Sequence, residues 1–260
     1  MTKKMIFFDL DGTLLNHNKQ IPESAKQAIQ LLKEKGNEVA IATGRAPFMF
    51  EKLREELDIN TYVSYTGQYV VVNGKVVYEN PLQKEVLEPL IDFSSIQQHP
   101  LLYMGHEDMK INIESHPYIK ESIATLKLDH PGPTYNPAYF EECNIYQLQL
   151  YCIDEEETSY IDAFQQFNFI RWHPYSIDVL PRGGSKAKGI DIITEKLGIG
   201  KENVYAFGDN LNDIEMLQSV NNSVAMGNAP ELVKKNAKYV TKDVNEDGIA
   251  YGLELVGLLK

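Results

Sequence analysis

Asp9 and Asp11 stand two residues apart at the end of the apolar run Met5 to Phe8, inside Asp9-Leu10-Asp11-Gly12-Thr13. Thr43-Gly44-Arg45 closes a second apolar run, Val39 to Ala42, and Asp209, Asn212 and Asp213 follow a third that ends at Phe207. Carboxylates in such places serve as nucleophiles, as acid–base groups or as ligands of a hard cation. Three or more drawn to one place repel each other unless a cation is present, and an oxygen-only set without His or Cys points to magnesium. The hydroxyl of Thr43 and the positive charge of Lys186 suit the oxygens of a phosphoryl group. Taken by itself, the string from Asp9 to Thr13 fits a solvated Asp-Gly turn equally well.

A sheet is what can bring these side chains together. The run Met5 to Phe8 ends abruptly in polar residues, as a buried strand does where it emerges into a turn. Ala25, Ala28, Ile29 and Leu32 recur at helical spacing between Pro22, suited to a first turn, and Gly36, suited to a C-terminal cap. Val39 to Ala42 reads as the next strand, Pro47 to Leu57 as a helix, and Tyr69 to Tyr78 as a hairpin turning at Asn73-Gly74. After Ser185 the alternation resumes with helix Ala187 to Leu197, strand Val204 to Phe207 and helix Asp213 to Val220. Strand Val224 to Met226, helix Pro230 to Ala237 and strand Tyr239 to Thr241 follow. This alternation predicts an α/β fold with a doubly wound, Rossmann-like parallel sheet. In such sheets the ligand crevice lies beyond the carboxyl ends of the strands, where the carboxylates and Thr43 are placed.

Between Pro81 and Arg182 the style changes. That stretch holds five of the six histidines, most of the prolines, the only Trp, and short strand-like pieces such as Tyr146 to Ile153. It predicts a second domain, residues 82–184, inserted into a core made of residues 1–81 and 185–260. Only 34 positions separate Asp9 from Thr43, too few to hold a domain, whereas 143 separate Thr43 from Lys186.

Asp9-Leu10-Asp11-Gly12-Thr13, Thr43-Gly44-Arg45, Lys186 and Gly208-Asp209-Asn210-Leu211-Asn212-Asp213 resemble the four ordered motifs of the haloacid dehalogenase superfamily. Val224-Ala225-Met226-Gly227-Asn228-Ala229 and Asn245-Glu246-Asp247-Gly248-Ile249-Ala250 resemble its Cof-type phosphatase subfamily. An insertion between the second and third motifs is the place of a type II cap, and the resemblance implies a mixed α/β cap of the IIB kind. Two departures stand out. Thr66-Gly67-Gln68 occupies the place where relatives often read Asn-Gly-Ala, and Ser185-Lys186-Ala187-Lys188-Gly189 offers two lysines for one role. The distance onward to Leu197-Gly198-Ile199 matches the register of relatives when counted from Lys186, which leaves Lys188 facing solvent.

The resemblance implies a magnesium-dependent phosphatase acting on small phosphorylated metabolites, sugar phosphates or related monoesters, through an aspartyl-phosphate. Asp9 is the expected nucleophile. Asp11 is expected to protonate the departing oxygen and then to activate water. Magnesium is expected on the Asp9 carboxylate, the Asp11 backbone carbonyl and Asp209, with Asp213 nearby. Leu10, Thr43, the Gly44 N–H, Lys186 and Asn212 are expected around the phosphoryl oxygens. Asp213 also suits a plain helix cap. In the insertion, Arg171-Trp172-His173 joins donors to an aromatic platform suited to the specificity side of a sugar or nucleoside site, although a lone Trp more often serves packing. His99, His106, His116 and His130 lack a partner at metal spacing and read as loop or surface residues.

A net charge of −12 without any run of Lys or Arg excludes the broad basic footprint of a nucleic-acid or anionic-membrane binder, and a small diffusible substrate fits better. No stretch approaches the ~20 apolar residues of a membrane span, so a cytoplasmic protein is expected. Cys143 and Cys152 read as two reduced packing residues. A phosphomutase would use the same nucleophile and metal. A signalling receiver also combines Asp, Thr and Lys but needs about half this length. A silent regulator that binds a phosphorylated ligand is the third alternative, and oligomeric state has no signature in the sequence.

Overall fold

Every residue of the first strand, Met5–Phe8, is buried, which is why it is apolar without alternation, as a central parallel strand must be. A computed structural model of the chain describes residues 3–127 and 130–259. The chain opens with β1 (Met5–Phe8), α1 (Glu23–Glu34), β2 (Glu38–Ala42), α2 (Glu51–Glu56), β3 (Tyr62–Ser64), β4 (Tyr69–Val72) and β5 (Lys75–Glu79). The middle holds α3 (Lys84–Ile96), β6 (Leu101–Met104), β7 (Met109–Ile111), α4 (Pro117–Thr125), β8 (Thr134–Tyr135), α5 (Tyr139–Glu142), β9 (Gln147–Leu150), α6 (Asp154–Ala163), β10 (Phe167–His173) and β11 (Ser176–Pro181). It closes with α7 (Lys186–Leu197), β12 (Val204–Gly208), α8 (Ile214–Ser219), β13 (Asn222–Ala225), α9 (Glu231–Lys234), β14 (Tyr239–Val240) and α10 (Gly248–Leu255).

The chain divides into two compact units, one of Met1–Gly44, Glu51–Glu79 and Gly184–Lys260, the other of Arg45–Phe50 and Asn80–Gly183. In the first unit eight strands run in the order β14-β13-β12-β1-β2-β3-β4-β5. From β14 to β3 they are parallel, and β4 and β5 add an antiparallel hairpin at one edge. Met5 and Phe7 of β1 pack with Ala40, Val63, Ile190 and Ile193 in one apolar cluster that also holds Met216 and Leu217 of α8. Helices α1 and α10 pack together. No helix among the described residues is long and apolar enough to cross a membrane.

Several boundaries differ from the sequence reading. The helix expected over Pro47 to Leu57 is a tight turn, Pro47–Phe50, followed by α2, and Arg45–Phe50 groups with the second unit, where the Phe48 ring lies 5.2 Å from that of His130. The helix expected over Pro230 to Ala237 shortens to α9, since Asn236 and Ala237 donate to the carbonyls three residues back. β3 is too short to show a period, and α10 carries two glycines that lower its helical propensity.

In the second unit six strands run β10-β11-β9-β6-β7-β8, antiparallel except for the pair β7 and β8. One face of this sheet carries Leu101, Tyr103, Leu148, Leu150, Ile177 and Val179 into a core with Leu87 and Leu90 of α3 and Tyr160 of α6. The alternation of a strand sends Gln147, Gln149, Ser176 and Asp178 to the opposite face.

Candidate active site

β1 has β2 on one side and β12 on the other, so the chain leaves it in opposite directions and opens a crevice at the carboxyl ends. Asp9, Thr43 and Asp209 are the residues that follow these three strands. The Asp9 N–H donates to Phe207 O (3.0 Å), which extends the ladder one residue beyond β1. The chain then folds into a tight loop, with Gly12 N donating to Leu15 O at 2.8 Å and Leu15 N to Leu10 O at 2.7 Å. Gly12 has φ +85°, and a Cβ there would lie 2.2 Å from Asp209 Oδ2. The loop backbone therefore touches the carboxylate of the neighbouring strand, and Thr13 Oγ1 donates to Asp209 Oδ1 at 3.0 Å.

Lys186 is the first residue of α7, whose N-terminus is capped by Ser185 accepting from Lys188 N. Its Nζ lies 2.6 Å from Asp9 Oδ1 and 2.6 Å from Asp213 Oδ1. Both lysine and Asp213 side chains are closed to solvent, and that of Asp9 is only 8 % exposed. The other oxygen of Asp213 accepts the N–H groups of Asp209 (2.9 Å) and Asn210 (3.0 Å). Asp213 thus closes a capping turn and aims the lysine at once. A Cβ on Gly208 would lie 2.7 Å from Asp213 Cγ, so that position must lack a side chain.

The electrostatics follow from burial. Burial pushes the Asp9 carboxyl well above the usual carboxylate range; Lys186 opposes this, and the charges of Asp213 and Asp209 add to it. Burial, then the charge of Asp213, pushes Asp209 up to about 7, against the Thr13 hydrogen bond. For Lys186 burial works against the ammonium, but Asp213 and Asp9 outweigh it and hold the group above its ordinary value. One ammonium among three carboxylates leaves a net negative pocket. Oxygens of Asp9, Asp209 and Asp213 lie within 4.8 Å of one another. That donor set, oxygen-only and short of positive charge, fits a hard divalent cation.

The remaining predicted residues divide by position. Thr43 is buried, Gly44 follows it, and Leu10 is buried in the loop. Asp11 sits at the rim, its carboxylate 2.5 Å from Lys19 Nζ, a partner that sequence spacing did not reveal. Asn212 is exposed in the turn before Asp213. Lys188 is exposed and donates to the Tyr78 hydroxyl at 3.0 Å. Sequence reasoning gave no role to Asn228, yet its Nδ2 donates to Gly12 O (2.9 Å) and Asp209 Oδ2 (3.3 Å) and its Oδ1 accepts from Val244 N (3.0 Å). It also missed Thr66, which is held at φ +51° with its N–H on Thr43 O at 3.1 Å. A Cβ on Gly44 would lie 3.3 Å from Thr66 Oγ1. A left-handed non-glycine residue beside a predicted phosphate loop is the kind of strain that gathers at functional sites.

In the second unit, Arg171 is spent on structure: Nε donates to Glu157 Oε2 (2.7 Å), and the other nitrogens reach the carbonyls of Cys152, Ile153 and Pro174. Trp172, its neighbour along β10, sits at an irregularity of the ladder, and its side chain reaches the Asp178 carboxylate instead. His173 accepts from Tyr175 N (3.3 Å) and lies against the Trp172 and Tyr175 rings. His99, expected to lack a companion, has two: Tyr160 Oη at 2.8 Å and Glu156 Oε2 at 3.1 Å. Both are more than fifty positions away, beyond the reach of local spacing.

The family model of haloacid dehalogenase-like hydrolases matches residues 6–253. The chain is 45% identical to a Bacillus subtilis (strain 168) protein named "Putative phosphatase YkrA" over 260 residues, the whole of both chains. A solved hypothetical protein of Geobacillus kaustophilus HTA426 superposes with a TM-score of 0.95 at 51% identity, covering 98% of this chain and 99% of that one. The haloacid dehalogenase subclass IIB sugar phosphatase BT4131 does so with a TM-score of 0.84 at 30% identity, covering 98% and 100%. The chain therefore belongs to the haloacid dehalogenase-like hydrolases, and is a phosphatase among them.

Proposed function

We propose that the chain is a magnesium-dependent phosphatase of small phosphorylated metabolites, sugar phosphates or related monoesters, working through a phosphorylated Asp9. The observation that carries this reading is the buried Lys186 ammonium 2.6 Å from Asp9 Oδ1, in a pocket otherwise made of carboxylate oxygens. Buried carboxylates are poor nucleophiles when protonated. Lys186 favours the ionised form of Asp9 against the effect of burial, and Asp213 keeps Lys186 in place.

In the first displacement an Asp9 oxygen bonds to phosphorus as the ester oxygen departs, taking a proton from Asp11. In the second, water gives a proton to Asp11 and attacks phosphorus. The bond to Asp9 breaks, releasing inorganic phosphate and restoring the carboxylate. Asp11, at the rim, exchanges Lys19 for substrate to do this. Lys186, Thr43 and the Gly44 N–H hold the non-bridging oxygens, where fixed donors stabilise the developing charge. Asp9, Asp209 and the Asp11 carbonyl would hold magnesium, with Asp213 acting through Lys186 and the Asp209 backbone. The bound ion supplies charge neutralisation between anionic nucleophile and anionic ester.

The test is magnesium-dependent release of inorganic phosphate across a panel of phosphorylated metabolites, run beside Asp9→Asn. Release that requires both metal and Asp9 supports the reading. Activity retained by the variant overturns the nucleophile, and isomerisation without net release overturns hydrolysis in favour of a mutase.

A further inference from the structure

His99, Cys152 and Glu156 meet from three separate segments of the second unit. His99 lies between α3 and β6, Cys152 follows β9, and Glu156 belongs to the first turn of α6. A ring nitrogen of His99, Cys152 Sγ and a carboxylate oxygen of Glu156 all lie within 4.8 Å of one another. Tetrahedral zinc, with bonds of about 2.0–2.3 Å, sets its donors roughly 3.3–3.6 Å apart, and His99 Nε2 already stands 3.1 Å from Glu156 Oε2. Small side-chain rotations bring the three donors onto one ion.

Each donor is also held by a group that is not itself a donor of the set. His99 Nδ1 lies 2.8 Å from Tyr160 Oη, and a proton placed on that nitrogen leaves the Nε2 lone pair facing Glu156. Glu156 Oε2 accepts the Ile153 N–H at 3.0 Å, which fixes the carboxylate over the start of α6. A guanidinium nitrogen of Arg171 lies 3.9 Å from Cys152 Sγ and favours the thiolate against burial. Supporting partners of this kind orient metal ligands and set their basicity. A hydrogen-bonded relay from Tyr160 through His99 to Glu156 accounts for two of the three side chains and gives no part to the sulfur.

Arg171 does not close the place to a cation, because Asp154 and Glu157 lie 3.3 Å and 2.7 Å from its Nε and offset its charge. Cys152 is closed to solvent, whereas the side chains of His99 and Glu156 are 12 % and 42 % exposed and leave a way in. Imidazole, thiolate and carboxylate together suit zinc and reject magnesium, the opposite preference to the oxygen-only cluster of Asp9, Asp209 and Asp213.

We propose that His99, Cys152 and Glu156 form a second metal site that takes zinc, with water in the fourth position, and that the ion ties the approach to β6 to the junction of β9 and α6. Binding breaks the Cys152 S–H bond and forms a sulfur–metal bond, and the proton passes to solvent. The proposal is independent of the phosphatase reading, since the site is read by metal binding and not by turnover.

Cobalt is the probe, because thiolate ligation gives it a near-ultraviolet charge-transfer band that an oxygen-only site cannot produce. The full chain, stripped with EDTA, kept reduced and supplied with excess magnesium, is titrated with cobalt. The band should saturate at one ion per chain, disappear when zinc is added, vanish in Cys152→Ser and persist in Cys143→Ser. His99→Gln and Glu156→Gln should weaken cobalt binding at least about tenfold, since losing even a supporting partner of a ligand costs that much. A missing band, a band that survives Cys152→Ser, or unchanged affinity in both His99→Gln and Glu156→Gln overturns the site. Because Cys152 is buried, a second arm uses Glu156→Gln, whose amide oxygen still accepts the Ile153 N–H. Zinc should raise the urea midpoint of the wild type and do so less in Glu156→Gln, and an equal rise in the two proteins counts against the proposal.

Discussion

The Lys186 ammonium lies 2.6 Å from Asp213 Oδ1 with neither side chain exposed, and the same nitrogen reaches Asp9 at the same distance. Removing the cation leaves two buried carboxylates facing each other, and breaking a buried pair from one side costs about 3–5 kcal/mol. Lys186→Met should therefore unfold at lower denaturant in EDTA and release phosphate at least about 100-fold more slowly. Lys188→Met, two positions on and exposed, should leave turnover within about twofold, since surface substitutions usually change little. If Lys188→Met is the slower variant, the assignment of the lysine is reversed.

Gly12 at φ +85° leaves no room for a methyl group, whose position would fall 2.2 Å from Asp209 Oδ2. Gly12→Ala should pay about 1–3 kcal/mol of backbone strain and displace Asp209 in addition. The expected signature is an activity loss that added magnesium partly restores, measured as phosphate release against metal concentration. A variant with unchanged metal dependence would show that the loop does not set the position of Asp209.

Asn228 joins the Gly12 carbonyl, Asp209 Oδ2 and the Val244 N–H, so it orients a proposed metal ligand from behind. Loss of such a supporting hydrogen bond typically weakens metal affinity about 10–100-fold. Chelation with EDTA should stop phosphate release in the wild type, and Asn228→Ala should need correspondingly more magnesium to recover while keeping its maximal rate. Equal magnesium titrations for the two proteins would assign Asn228 to packing alone.

The parts of this site that could be read in the sequence are those tied to strand ends. Asp9, Thr43 and Asp209 each follow an apolar run, and the rule that ligands gather at the carboxyl ends of parallel strands brings them together without coordinates. Lys186 stands at a helix start rather than a strand end; its charge marked it as a phosphoryl partner, and the register of the resemblance was needed to choose it over Lys188. The two ends of the Lys19–Asp11 pair are close in sequence, but a loop conformation with Lys19 at φ +59° brings them together, which composition does not encode. Asn228 and Thr66 act through backbone groups of other loops, so their roles become visible only when those loops are folded. On β10 the ladder is irregular between Arg171 and His173, so the face that Trp172 takes could not be read from a period of two. The acceptors around Trp172 come from β9 and β11, and only the register of the sheet makes Asp178 and Gln149 neighbours.

That register has a cost that can be measured. Burial pushes Asp178 up to about 7 from an ordinary value of 3.8, against hydrogen bonds from Gln149, Trp172 and Gln147. A carboxyl whose folded value lies above its unfolded value binds more protons folded than unfolded between those two values. Its contribution to stability is therefore full below about pH 4, declines as pH rises toward 7, and stays lost above it. At 1.36 kcal/mol per unit the decline amounts to roughly 2–4 kcal/mol, the lower figure allowing for the partial exposure of the residue. Asp178→Asn keeps the shape and removes the charge. Urea unfolding of the two proteins should give similar midpoints at pH 4.5 and a higher midpoint for the variant at pH 8, while shifts shared by other carboxylates such as Asp209 cancel in the difference. A wild type that is the more stable protein at pH 8 would mean that the Asp178 carboxylate is satisfied within the fold. It would remove the stability cost.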